Sequence, residues 1–318
     1  MRAIPLLSLL LGGWFVVPAH ADEAQNWLTR LGQAEQQQSF QGTFVYERNG
    51  SFSTHNIWHR VQDGKVRERL LQLDGSAQEV VRIDGHTQCV SGTLIAGLGD
   101  SPNSTARALD PQKLKNWYDL AVIGKSRVAG RSAVIVSLTP RDQHRYGFEL
   151  HLDKETGLPL KSLLLNDKGQ LLERFQFTQL DTADVPSDSD LQPGDDCKVV
   201  TLDVDKASAA KVAQAWHSDW LPPGFELTSS SARKDPETKT QVNSLMYDDG
   251  LARFSVFLEP LNGGTVTDTR TQLGPTVAVS RRLTTPQGEM MVTVVGEIPI
   301  GTAERIALSM RTDATATK

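Results

Sequence analysis

Phe40-Gln41-Gly42-Thr43-Phe44-Val45-Tyr46-Glu47-Arg48-Asn49-Gly50 decides the fold. Nine residues rich in aromatic and β-branched side chains run into Asn-Gly, a pair that tolerates positive φ and closes two-residue hairpins. The signal then repeats. Ser51 to Val61 returns and Asp63-Gly64 turns it. Val66 to Leu73 runs out to Asp74-Gly75, and Ala77 to Ile83 comes back to Asp84-Gly85. Thr87 to Val90 starts another strand. Turns about ten residues apart, with no competing 3.6-residue period, describe an antiparallel meander.

Strands resume downstream. Leu120 to Val128 and Ala133 to Leu138 flank Gly130-Arg131. In His144 to Asp153, Tyr146, Phe148, Leu150 and Leu152 alternate with Gly147, Glu149, His151 and Asp153, the period of a half-buried strand. Leu158 to Leu165 and Leu171 to Leu180 follow, with Phe175 and Phe177 on one face. Ten or eleven antiparallel strands must curl or close. The expected fold is β-rich α+β: a large curved antiparallel sheet, a half-barrel, with helices on its concave face. Ala24 to Gln37, with Trp27, Leu28, Leu31 and Ala34 at helical spacing, supplies one helix. Asp110-Pro111 caps and starts a short second one, after a glycine- and serine-rich loop.

Asp181 to Asp196 reads as an acidic, proline-containing linker with almost nothing apolar in it. The first domain is taken as residues 22–197, a linker as 198–215 and a smaller C-terminal α+β domain as 216–312, with a polar tail over 313–318. Strands are expected at Gln241 to Tyr247, Leu251 to Glu259, Thr276 to Leu283 and Glu289 to Glu297, and a closing helix at Thr302 to Arg311. The linker implies two units that rotate against each other, with few contacts crossing between them.

The chain of 318 residues is 39% hydrophobic and 22% charged, and its formal net charge of -5 argues against a nucleic-acid partner. Arg2, the apolar run Ile4 to Val17 and Ala19-His20-Ala21 make a secretory signal over residues 1–21, giving a mature start at Asp22 and export. Asp22, not a cysteine, directly follows that cleavage point, so no lipid anchor is expected. In an oxidising compartment, the two cysteines, Cys89 and Cys197, favour a disulfide over two buried thiols.

No Gly-x-Ser-x-Gly elbow, His-Glu-x-x-His or phosphate-cradling glycine loop occurs, and no catalytic, cofactor or metal site is expected. His55 and His59 are four residues apart on a strand, about 13 Å, too far for one ion, and read as histidines on the surface of a sheet.

Several runs carry a resemblance. They are Ser39-Phe40-Gln41-Gly42-Thr43-Phe44-Val45-Tyr46, Thr54 to Arg60 with Trp58, Arg67-Glu68-Arg69-Leu70, Tyr118-Asp119-Leu120 and Gly147-Phe148-Glu149-Leu150. Trp220 to Phe225, Gly250 to Phe257 and Val294-Val295-Gly296-Glu297 extend it through the mature chain. In these runs the chain resembles the RseB/MucB family of periplasmic regulators. The resemblance implies binding to the periplasmic part of a membrane-spanning anti-sigma factor. That part is shielded from a site-one protease, which keeps an envelope-stress sigma factor inactive; in one branch the output includes alginate production. It further implies a larger domain like the outer-membrane lipoprotein carriers, a smaller domain that contributes to anti-sigma binding, and release by lipid or lipopolysaccharide fragments. It implies no catalytic residues.

An apolar concave face can hold an acyl chain. Candidate lipid contacts are Phe44, Tyr46, Trp58, Phe148, Leu150, Phe175 and Phe177; candidate partner anchors are Trp220, Phe225, Phe254 and Phe257. For each alone, packing in the core is the competing role. A periplasmic carrier of lipid or lipoprotein is the alternative function, though a carrier needs no second domain. A homo-oligomer stands as a further candidate assembly.

Overall fold

The structure is a computed structural model that describes residues 19–75, 78–92, 109–200, 212, 215–234, 240–261, 267–286 and 288–312. The expected signal peptide before residue 19, most of the linker 198–215 and the tail 313–318 lie outside the described residues.

The meander forms as its turns dictate. Strands β1 (Phe40–Arg48), β2 (Ser51–Gln62), β3 (Lys65–Gln72), β4 (Glu79–Ile83) and β5 (His86–Ser91) pair in succession. Asn49-Gly50, Asp63-Gly64 and Asp84-Gly85 all hold positive φ at both positions, the geometry of tight hairpins. The second run gives β6 (Tyr118–Val128), β7 (Arg131–Pro140), β8 (Gly147–Asp153), β9 (Pro159–Leu165) and β10 (Leu171–Asp181). β10 pairs with β1, and a two-residue β11 (Lys198–Val199) adds to β5, so one eleven-stranded sheet results in the order β11-β5-β4-β3-β2-β1-β10-β9-β8-β7-β6. The sheet curls without closing: Leu180 on β10 and Ala129 after β6 pack on the same buried Val128 and Leu160.

Helix α1 (Ala19–Gln37) lies on the inner face. Its Ala24, Leu28 and Leu31 pack with Leu120, Val134, Val136, Leu138, Leu150 and Leu152. The short α2 (Pro111–Leu114) starts where the sequence places it: the Asp110 carboxylate accepts from the backbone N–H groups of Gln112 and Lys113.

Asp181 to Asp196 is not a free linker. It straps the outer face of the sheet. Arg60 donates to the Pro186 carbonyl at 3.2 Å and to Asp188 at 2.6 Å. Arg69 donates to the Asp190 carbonyl at 3.1 Å, and Glu79 accepts from the Gly194 N–H at 2.9 Å. The strap's own Leu191 is fully buried. Polar composition concealed this, because the strap is held mainly through backbone and carboxylate groups. A Cys89–Cys197 disulfide closes the strap. For the 108-residue separation, the chain-entropy estimate is about 4.7 kcal/mol at most.

The C-terminal part builds a six-stranded sheet, order β13-β14-β15-β18-β17-β16, from β13 (Glu226–Lys234), β14 (Gln241–Asp248), β15 (Arg253–Pro260), β16 (Thr269–Leu273), β17 (Thr276–Thr285) and β18 (Gly288–Gly296). Edge strands β13 and β16 escaped the sequence reading, since neither alternates: β13 is mostly serine and charge, and β16 is exposed throughout. Helix α3 (Ile300–Ser309) covers one face with Ala303, Ile306 and Ala307. β12 (Trp216–Ser218) and β19 (Met310–Thr312) close the unit as a two-stranded ribbon.

Candidate functional site

Register across the large sheet sorts the candidate lipid contacts. Phe44 lies opposite Phe177 and His55, and Tyr46 opposite Phe175 and Ser53. The second row continues through Ser162, Leu150 and Val136, and Phe148 faces Leu164 and Leu138 beside it. Because side chains alternate between faces, Phe44, Tyr46, Phe148, Leu150, Phe175 and Phe177 share the inner face. Trp58 does not. His55, Ile57 and His59 take the inward positions of β2, so Trp58 faces outward, with the Arg69 guanidinium 5.1 Å from its ring centroid.

The inward histidines correct a second expectation. His55 and His59 are buried, at 6% and 4% exposure, rather than lying on the sheet surface. His59 stacks on Phe40 with ring centroids 4.6 Å apart; its Nδ1 meets Glu68 at 3.0 Å and its Nε2 the Glu35 carbonyl at 2.9 Å. His55 stacks on Phe44 at 5.0 Å and its Nε2 meets the Ser53 hydroxyl. Its Nδ1 is buried and unpartnered among the described residues. Burial holds its pKa below the ordinary histidine value.

The aromatics differ in access. Phe44, Leu150 and Phe177 are core, the last at 2% exposure, while Tyr46, Phe148 and Phe175 are half-buried. Phe44, Phe175 and Phe177 form a mutual cluster with centroid separations of 4.6 to 6.0 Å. Of the six, Tyr46, Phe148 and Phe175 keep part of their surface exposed.

The end of that face is charged. The Tyr46 hydroxyl donates to Glu173 at 2.5 Å. Arg48 lies 3.9 Å from Glu173 and 3.1 Å from Glu297, and it also donates to the Thr276 hydroxyl. Burial first, and then the charge of Glu297, push the Glu173 carboxyl up to about 7. Glu297 and Thr276 belong to the C-terminal unit, so the aromatic face ends at a seam between the two units.

That seam overturns the expectation that few contacts cross. Trp117 lies against Gly224, where an added Cβ would stand 2.3 Å from the indole; only glycine, here at φ +87°, fits. The Tyr146 hydroxyl donates to the Ile298 carbonyl at 3.2 Å, and His144 meets Thr302 at 3.2 Å. Arg145 donates to Asp249, with both side chains fully buried.

The candidate partner anchors divide accordingly. Trp220 sits in the seam, edge-on to His144 at 5.0 Å and under Arg305 at 3.8 Å. Phe225 and Phe254 are core at 5% and 1% exposure, the packing role that competed with partner contact for each of them. Phe257 faces away from the core residues Phe254, Val256 and Leu258 and is half-buried. Arg145, Asp249 and Trp117 escaped sequence reading. The Asp248-Asp249-Gly250 turn marked only a hairpin, and nothing local joins it to a loop about a hundred residues earlier.

No group of three or more potential metal ligands occurs among the described residues, and no described helix is long and apolar enough to cross a membrane.

Comparison with known proteins agrees with this two-part architecture. The family description "MucB/RseB N-terminal domain" matches residues 23–195 and "MucB/RseB C-terminal domain" matches residues 210–311. The Pseudomonas aeruginosa "Sigma factor AlgU regulatory protein MucB" is 63% identical over 320 residues, covering 100% of both chains. The Haemophilus influenzae "Sigma-E factor regulatory protein RseB" is 28% identical over 333 residues, covering 98% of this chain and 99% of its own. Among solved structures, the Pseudomonas aeruginosa MucA/MucB complex superposes with a TM-score of 0.81 at 63% identity, covering 92% of this chain and 100% of that one. A crystal structure of MucB without a named partner superposes at 0.71 with 60% identity, covering 92% and 98%.

Proposed function

The chain belongs to the MucB/RseB family, and we propose that it binds the periplasmic segment of a membrane-spanning anti-sigma factor. By covering that segment it shields it from regulated proteolysis and holds an envelope-stress sigma factor inactive. An acyl-bearing lipid or lipopolysaccharide fragment on the inner face acts as the release signal. The protein works in the periplasm after loss of residues 1–21, and it has no catalytic role. Its working units are residues 22–197 and 216–312.

The observation that carries this reading is the end-to-end match to MucB, at 63% identity, together with the fit of both units to MucB in complex with MucA(peri), at a TM-score of 0.78. The physical argument is independent. Tyr46, Phe148 and Phe175 keep part of their aromatic surface exposed on the inner face, a surface of the kind that suits an acyl chain, and that face ends at Glu173 and Arg48, of which Arg48 also touches the C-terminal unit. A ligand shifts a conformational balance only through different affinities for the two states. One that displaces Tyr46 disturbs the Glu173–Arg48–Glu297 contact and so has such a difference.

The test is protection. The purified anti-sigma periplasmic segment is digested by its site-one protease with and without this protein. The reading expects equimolar protein to slow cleavage and an acyl lipid to restore it. Unchanged cleavage, with no complex on a pull-down, would leave the carrier alternative.

A further inference from the structure

The geometry points to Arg145 as the residue that sets the angle between the two sheets, and through it the surface met by a partner that spans both. The statement about the angle stands on geometry alone; the statement about the partner rests on the functional reading above.

Arg145 sits in the loop between β7 and β8, and its side chain is 0% exposed. Its guanidinium is oriented from its own side. Nε and Nη2 donate to the two oxygens of Asp142 at 3.1 and 2.9 Å. The remaining donors cross the seam to two separate segments of the C-terminal unit. Nη1 donates to Asp249 Oδ2, and Nη2 donates to the Pro223 carbonyl at 2.6 Å. Three rings surround the group, Trp117 at 5.7 Å and Tyr118 at 5.6 Å from the first unit and Phe225 at 5.1 Å from the second.

The acceptor is fixed as well. Asp249 Oδ1 accepts from the N–H groups of Leu251 at 2.9 Å and Ala252 at 2.7 Å, so its own turn holds it. Oδ2 is left for Arg145 and the Tyr118 hydroxyl, the latter at 3.3 Å. A planar fork clamped by Asp142 therefore meets a carboxylate clamped by a turn, and this arrangement tolerates little rotation.

The other polar contacts across the seam fix orientation less. Glu297, the partner of Arg48, has a side chain 42% exposed, where water replaces the bond readily. Tyr146 to Ile298 and His144 to Thr302 are single hydrogen bonds. Nor is stability the reason for burying two charges, since well-packed apolar residues generally stabilise as well or better. What a buried, fully partnered ion pair supplies here is one orientation.

The experiment places spin labels at Lys125 and Thr284, both exposed and on different sheets, in the full-length protein with its disulfide intact. The wild type is expected to give one narrow distance distribution. Arg145→Ala should broaden or shift it. Arg145→Lys should do so partly, because one ammonium cannot hold Asp142, Asp249 and Pro223 together. Affinity for the anti-sigma periplasmic peptide should fall roughly 5- to 150-fold in Arg145→Ala, the usual range of coupling between sites. A folded Arg145→Ala with the wild-type distribution overturns the assignment. If Arg145→Ala fails to fold, Arg145→Lys and the isosteric Asp249→Asn decide it. Collapse of all three also overturns it, because the pair would then be core rather than an orienting contact. A broadened distribution with unchanged affinity refutes the spanning partner. Absence of peptide binding by the wild type refutes the functional reading, and the distances still decide Arg145.

Discussion

The inner face of the half-barrel and the seam bury their groups in opposite ways. Phe44, Phe175 and Phe177 contact one another through non-directional apolar surface, and one polar atom buried beside them, His55 Nδ1, has no partner among the described residues. At the seam, Arg145 and Asp249 are as deeply buried, yet the charged groups are met by acceptors or donors set at fixed angles. Apolar packing tolerates rearrangement and substitution of one occupant for another. A satisfied ionic network specifies one geometry and loses heavily when one member is removed. The first kind of burial can rearrange; the second holds one shape.

Deletions at the two regions should cost similar amounts and respond differently to rescue. Phe177→Ala should destabilise by about 3–5 kcal/mol, the cost of removing a buried aromatic side chain. Asp249→Ala should cost about 3–5 kcal/mol by stranding the Arg145 charge. Urea unfolding measures both. A small apolar compound should restore part of the Phe177→Ala loss by filling the space and none of the Asp249→Ala loss. Equal rescue of both would erase the distinction.

A smaller effect is expected from the strap on the outer face. Cys89→Ser should cost about 2–4 kcal/mol. Amide exchange should speed up in β11 and at Gly194 before it does so in the inner face. Uniform acceleration would mean that the strap and the inner face open as one unit.

The smallest effect is a pH dependence where the two regions meet. Burial and Glu297 raise the Glu173 carboxyl from 4.5 to about 7. The folded state thus binds this proton more tightly than the unfolded chain does. The associated stability is complete below about pH 4.5 and is lost as pH rises through about 7. Glu173→Gln should therefore remove a decline in stability on the order of 1–2 kcal/mol between pH 5 and 8. Identical stability profiles for wild type and variant would remove Glu173 from the account.

The sequence reveals the two regions unequally for a physical reason. The half-barrel is written in local signals: Asn49-Gly50, Asp63-Gly64 and Asp84-Gly85 each fix a turn, and alternation from Phe148 to Leu152 fixes a face. The parity of β2 was open to error because both of its faces carry large side chains. Stacking of His55 and His59 on Phe44 and Phe40 turned Trp58 outward. The seam has no local signature. Arg145 lies in an irregular loop and Asp249 in a turn, where exposed charge is the ordinary expectation, and only tertiary structure brings them together. The functional expectation came from resemblance to the family; neither turn chemistry nor periodicity carries it.

On the proposed function, inner-face occupancy and partner binding are coupled through the seam. Calorimetric titration of the anti-sigma periplasmic segment into this protein, with and without a saturating acyl lipid, tests it most directly. The account expects lipid to weaken the peptide by roughly 5- to 150-fold, and the peptide to weaken lipid by the same factor. Phe148→Ala should blunt the lipid effect while leaving lipid-free peptide affinity nearly intact, and Trp58→Ala, on the outer face, should leave both unchanged. Equal peptide affinities in the two wild-type titrations would contradict the coupling.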